Sequence, residues 1–132
     1  ALIDAGEFNA IGSPMRKDSW HIAVQHPRQA CHIAKTGLQG RCLSTSGDYA
    51  TKFSADYRHH HLLDPRTGLS PLKLSAVSVA APTALEADAL STALFVLGPD
   101  KAKEMAESMD SVDALFVSKS GEVSLTNGFP LV

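Results

Sequence analysis

Apolar and polar positions alternate at short range through the first half of the chain, and helical spacing of apolar residues is confined to the second half. Alternation predicts half-buried strands, whereas recurrence every three or four residues predicts helices. Ala1–Ala5 forms an apolar run that ends at Gly6. Trp20–Gln25 is strand-like and stops at His26-Pro27, where proline removes a ladder donor. Cys31–Thr36 and Arg41–Thr45 are expected to pair as a hairpin around Gly37-Leu38-Gln39-Gly40. Tyr57–Leu63 leads into Asp64-Pro65-Arg66-Thr67-Gly68, whose residue types suit a tight turn. Leu74–Ala81 is small and β-branched enough for a strand and ends at Pro82.

The clearest helix is Ala84–Leu97, opened by Thr83 and Glu86 as a capping box and stopped by Gly98-Pro99. A second, about Asp100–Met109, carries Ala102, Met105, Ala106 and Met109 on one stripe. Asp113–Ser118 and Glu122–Leu125 then pair around Lys119-Ser120-Gly121. Strands, then helices, then a hairpin predict an α+β fold, a mixed or antiparallel sheet packed by two helices. At 132 residues, 44% of them hydrophobic, the chain suits one domain with a real core.

A net charge of −2 with singly scattered Lys and Arg offers no footprint for nucleic acid or an anionic membrane. The nearest approach to a basic cluster is Arg16-Lys17. No apolar run approaches the ~18–20 residues of a membrane span, and no signal peptide is recognisable. The opening inside a strand-like run without Met predicts a fragment, a processed product or a trimmed chain. Cys31 and Cys42 lack zinc spacing; the expectation is two small core residues, with a bridge between neighbouring strands as the alternative.

Candidate chemistry gathers in two places. On a wheel of about 100° per residue, Leu90, Leu94 and Leu97 share one side of the first helix. Asp88, Thr92 and Phe95 fall opposite, and the alanines between them predict a helix buried nearly all round. A buried carboxylate needs a partner. One reading is a divalent cation held by the oxygens of Asp88 and Thr92 and completed by carbonyls, phosphates and water. The other is that Asp88 meets a distant Arg or solvent and Thr92 bonds back to its own helix. Glu86 is explained by the cap. In His59-His60-His61 the side chains alternate, so all three cannot converge on one metal; His59 and His61 share a face. His61 stands out because the Asp-Pro-Arg-Thr-Gly turn would hold it, and imidazole suits proton transfer near neutrality. Ser44–Tyr49 is a small-residue stretch expected to turn and admit a ligand to its backbone, although most such stretches are plain loops. Gly6–Asn9 is expected to be a bulge or turn, and Trp20 and Phe53 core residues.

Ala1–Glu7, Ser46-Gly47-Asp48-Tyr49, His60–Gly68, Ala81–Leu94 and Asn127-Gly128-Phe129, read in order, resemble the C-terminal half of the ApbE family, the FAD:protein FMN transferases once labelled thiamine-biosynthesis lipoproteins. The His-x-x-Asp-Pro-x-Thr-Gly and Glu-Ala-Asp-Ala-x-x-Thr-Ala stretches carry most of the resemblance, which covers essentially all of residues 1–132. It implies a metal-dependent enzyme that splits FAD, transfers FMN to a Ser or Thr hydroxyl of an acceptor protein and releases AMP. It also implies Asp88 and Thr92 as ligands of Mg2+ or another divalent cation, His61 as the base at the flavin nucleotide, and Ser46 and Leu62 as residues lining the FAD site. The physical chemistry agrees, since a cation on the pyrophosphate removes the need for a basic patch.

Family members are implied to be roughly twice this length, with an N-terminal half holding an Asp-x-Gly-Gly-x-x-Lys-Gly-type motif that this sequence lacks. The first strand has Gly6-Glu7 where the family often has two glycines before the acidic residue. The expected partners are therefore FAD, an acceptor protein and an N-terminal half, in the same polypeptide or another, and no nucleic acid. A non-catalytic flavin-binding or structural remnant is the alternative. The implied compartment is the bacterial periplasm or inner-membrane surface where a leader or lipobox precedes the sequence, and the cytoplasm otherwise.

Overall fold

A computed structural model describes residues 1–15 and 18–132, so the Arg16-Lys17 pair lies outside the described residues. The order is β1 (Leu2–Asp4), β2 (Phe8–Ala10), β3 (Trp20–Gln25), β4 (His32–Leu38), β5 (Cys42–Gly47), β6 (Leu74–Ala81), α1 (Ala84–Leu97), α2 (Pro99–Ser108), β7 (Asp113–Ser118) and β8 (Val123–Leu125). Six strands form one antiparallel sheet in the order β1-β2-β5-β6-β7-β8, and β3 pairs with β4 as a separate ribbon. The α+β expectation holds. No helix among the described residues is long and apolar enough to cross a membrane.

The sheet is covered on both faces, which explains why every residue of β6 is buried. On one face Val77, Val79 and Ala81 meet Ala87, Leu94 and Phe95 of α1 and Ala102 and Ala106 of α2. On the other, Ala76, Ala80, Leu115 and Val117 meet Ile22, Val24 and Leu38 of the ribbon. The ribbon is half-buried, with Ile22 and Val24 inward and His21 and Ala23 outward, as its alternation predicts.

The expected pairing of Cys31–Thr36 with Arg41–Thr45 does not occur. β4 turns back on β3 with Ala23 opposite Lys35, whereas β5 enters the large sheet between β2 and β6. The reason is burial: β5 has Cys42, Leu43 and Ser44 buried in succession and needs cover on both faces, which an exposed ribbon cannot supply. The short strand β2, which the opening residues did not suggest, joins β1 to it. Cys31 is exposed and Cys42 buried, and both are free thiols, so only Cys42 is a core residue. Phe53, expected in the core, is 68% exposed, while Trp20 is partly buried against the ribbon-side core.

Between β5 and β6 the chain makes a long excursion, residues 48–73, tied by isolated bridges from Lys52 to His60 and from Asp64 to Leu69. The expected turn is present. Asp64 accepts from the Arg66 backbone N–H at 2.9 Å and pairs with its guanidinium, and Gly68 closes the turn at φ 70°. That partner holds the Asp64 carboxyl below the usual carboxylate range and makes it a structural residue.

Candidate functional site

The site is built where α1 crosses β5. The capping box fixes the start of the helix: Thr83 N–H donates to Glu86 Oε2 at 3.1 Å, and Glu86 N–H to Thr83 Oγ1 at 3.2 Å. Glu86 is thereby accounted for. Side-chain alternation in β5 puts Cys42 in the α1-side core and Leu43 in the opposite one, so Ser44 and Ser46 also face α1.

Five oxygen-bearing side chains meet along this seam. Ser44 Oγ donates to Asp88 Oδ1 at 3.4 Å, a long bond. Ser46 Oγ lies 2.7 Å from Ser91 Oγ and 2.9 Å from Thr92 Oγ1. Ser91 spends its only proton on the Asp88 carbonyl at 2.9 Å. Ser46 must therefore donate to Ser91, and Thr92 to Ser46, which leaves the Thr92 Oγ1 lone pairs unused. Thr92 bonds across to the strand and not back to its own helix.

α1 is not buried all round. Its buried residues are Ala87, Ser91, Leu94 and Phe95, whereas Asp88 and Thr92 are exposed and Leu85 is 80% exposed. The wheel grouped Phe95 with Asp88 and Thr92, but the axis of burial runs between Leu94 and Phe95. That puts Asp88 and Thr92 at the rim of the packed face. Asp88 thus needs no counter-charge to compensate burial. Among the described residues the acidic members of ion pairs are Asp48, Asp64 and Asp113, so the Asp88 charge stands uncompensated beside four hydroxyls.

This donor set is all oxygen and carries one free charge, which fits a hard divalent cation. No group of three His, Cys, Asp or Glu side chains suited to a metal occurs among the described residues. A cation at Asp88 and Thr92 would therefore need further ligands from phosphate, water or protein outside this set.

The histidines alternate as expected: His59 exposed, His60 fully buried, His61 exposed. His61 Nδ1 lies 3.2 Å from the Thr51 carbonyl. A carbonyl only accepts, so Nδ1 carries the proton in the neutral ring and Nε2 keeps a free lone pair. Leu62, directly after it, is buried in the α1-side core with Leu94 and Phe95. The structure thus joins Ser46 to Thr92 directly and seats Leu62 under the same helix. No hydrogen bond links His61 to Ser46, Asp88 or Thr92.

His60 is the histidine that touches α1, its ring edge-on to Phe95 with centroids 5.5 Å apart. Its Nε2 donates to the Pro71 carbonyl at 3.1 Å, and its buried Nδ1 has no partner. Burial, aided by Lys119 and His61 and opposed by the Pro71 carbonyl and Asp48, holds its pKa below the usual histidine value. The folded state then binds fewer protons than the unfolded one just below about pH 6.5, so stability is lost as the pH is lowered through that window. Urea unfolding at stepped pH should show this loss, with a slope of at most about 1.4 kcal/mol per pH unit from this group. His60→Gln should flatten it; an unchanged slope would assign it elsewhere.

Ser44 and Ser91 were not singled out from the sequence, although their spacing to Ser46 and Asp88 was a usable signal, i+2 on a strand and i+3 on a helix. The Ser44–Tyr49 stretch is strand as far as Gly47, so its side chains, and not a backbone cradle, line the seam.

Residues 1–116 match the model of the ApbE family. The chain belongs to the ApbE family. It is 41% identical over 108 residues to the FAD:protein FMN transferase of Haemophilus influenzae, which covers 77% of this chain and 31% of that protein. It is 38% identical over 122 residues to the enzyme of the same name from Escherichia coli K12, covering 89% of this chain and 34% of the relative. The crystal structure of the ApbE protein from Thermotoga maritima MSB8 superposes with a TM-score of 0.88 at 35% identity, over 96% of this chain and 42% of that one. The chain therefore spans about a third of the curated relatives it matches, a smaller share than the half first implied.

Proposed function

We propose that the protein carrying this chain transfers FMN from FAD to a Ser or Thr hydroxyl of an acceptor protein, releasing AMP, with Mg2+ or another divalent cation held by Asp88 and Thr92. The observation that carries this reading is the uncompensated Asp88 carboxylate beside the free Thr92 lone pairs, on the β5–α1 seam of an ApbE-family chain. The names of the relatives support flavin transfer. When bound, the cation would offset the charge of the pyrophosphate and of the departing AMP.

The roles of the chain's own residues follow from their chemistry. Ser46 and Leu62 line the flavin nucleotide, a hydroxyl beside an apolar side chain. His61 Nε2 takes the acceptor hydroxyl proton as the new oxygen–phosphorus bond forms on the FMN side and the bond to AMP breaks. Protein outside the 132 residues, in the share of the relatives' length that this chain does not span, supplies the remaining wall and ligands.

The test is a mass gain of one FMN on an acceptor protein incubated with FAD, magnesium and the complete protein, abolished by a chelator. No gain, with flavin still bound, would favour the non-catalytic remnant. Within an active protein, His61→Ala should lower the rate by about 10²–10⁴-fold, the usual contribution of a general base. His59→Ala should stay near the parent rate. Equal losses at His59, His60 and His61 would point to a structural cluster and remove the base assignment.

A further inference from the structure

Asp48 directly follows the strand that carries Ser46, and its side chain is fully buried. Arg28, from the β3–β4 connection, grips it with Nη1 on Oδ1 and Nη2 on Oδ2, each at 2.7 Å, and also reaches Ser75 Oγ at 3.0 Å. Lys119, from the β7–β8 turn, donates to Asp48 Oδ2 as well. Both cations then act on one further residue. The Arg28 guanidinium lies 3.7 Å over the Tyr57 ring, and Lys119 Nζ donates to the Tyr57 carbonyl at 2.7 Å.

Tyr57 is held at φ 60°, a left-handed conformation that a non-glycine residue keeps only where its surroundings over-determine it. It sits at the outer end of a small closed loop. Phe53 N–H donates to the His59 carbonyl at 2.7 Å and His61 N–H to the Thr51 carbonyl at 3.0 Å, so the loop returns at His61. Lys52 adds a second cation 4.4 Å from the Tyr57 ring.

We infer that Arg28, Asp48 and Lys119 are positioning residues, which pin the Tyr57 loop, and with it His61, to the end of β5, the strand that carries Ser46. A buried ion network adds little to net stability compared with apolar packing, because desolvation offsets its attraction. Its distinctive effect is to specify geometry. Here both cations that neutralise Asp48 also hold the one strained residue of the His61 loop. The catalytic meaning of this positioning rests on the proposed transfer reaction; the positioning itself does not.

Amide hydrogen exchange in the complete protein that carries this chain decides it. Asp48→Asn and Lys119→Met should each speed exchange at the Phe53 and His61 amides by about tenfold or more, while Val79 and Phe116 in the sheet stay within about threefold, the pattern of local opening. Lys119→Met keeps the Arg28–Asp48 pair and serves if Asp48→Asn does not fold. Unchanged Phe53 and His61 amides in a folded variant, or equal acceleration at all four, would overturn the inference. In an active complete protein, Lys119→Met should lower kcat with the KM for FAD nearly unchanged, and Lys119→Arg should restore it. A parent protein without transfer would sink the reaction, not the positioning, which the exchange pattern alone decides.

Discussion

Asp88→Ala in the complete protein should cut magnesium-dependent FMN transfer by about 10²-fold or more, the scale of removing one preorganised charge-stabilising group from an active site. The fold should survive. Asp88 is exposed, and among the described residues its one side-chain hydrogen bond is a long one from Ser44 at 3.4 Å. An exposed substitution of this kind changes stability by about 0.5 kcal/mol or less. The contrast between the two effects is the diagnostic. Acceptor mass gain measures the first and thermal unfolding the second. A variant that transfers at the parent rate would remove the cation from Asp88, and one that melts far below the parent would make Asp88 a structural residue. Had α1 been buried all round, the two effects could not be separated, because removing a buried charge alters packing and solvation together.

The 132-residue chain by itself should place no FMN on an acceptor. Phosphoryl transfer depends on positioning and on excluding water, which competes with the acceptor hydroxyl. Asp88 and Thr92 lie at the exposed rim of α1, His61 is exposed on its loop, and only Leu62 of the proposed site is deeply buried. A cation held by one carboxylate and one hydroxyl would remain short of ligands. The measurement is the mass of an acceptor after incubation with chain, FAD and magnesium, beside the complete protein as a positive control. Clear transfer by the chain alone would show that the seam and the His61 loop suffice, and that the share of the family's length beyond this chain is dispensable for chemistry.

Local pattern was enough for most elements. Strands Trp20–Gln25, Leu74–Ala81 and Asp113–Ser118 and helix Ala84–Leu97 have the bounds that alternation, the Thr83–Glu86 cap and Gly98-Pro99 predict. These signals work because they are carried by neighbours in sequence: a cap needs residues three apart, and a half-buried strand shows its period in six residues. The alternation of His59, His60 and His61 was legible for the same reason.

Pairing and depth were not. Whether Arg41–Thr45 would join the strand before it or a sheet with members as far as about eighty residues further on depends on what covers each face, which no local window contains. The wheel of α1 showed that Asp88 and Thr92 are neighbours but not which arc is buried, since alanine flanks tolerate either. Phe95 settles the arc by packing against His60, a residue 35 positions earlier in the chain. The Asp48 cluster is the clearest case: Arg28, Tyr57 and Lys119 are separated from it by 20, 9 and 71 positions and become one electrostatic unit only after folding. Residue types, most local elements and the four-residue spacing of Asp88 and Thr92 on one helix were already readable along the chain. Tertiary structure alone decided which of those groups stand at the rim with free lone pairs and which are locked in the interior, because burial and long-range ion pairing are properties of surfaces brought together, not of neighbours along the chain.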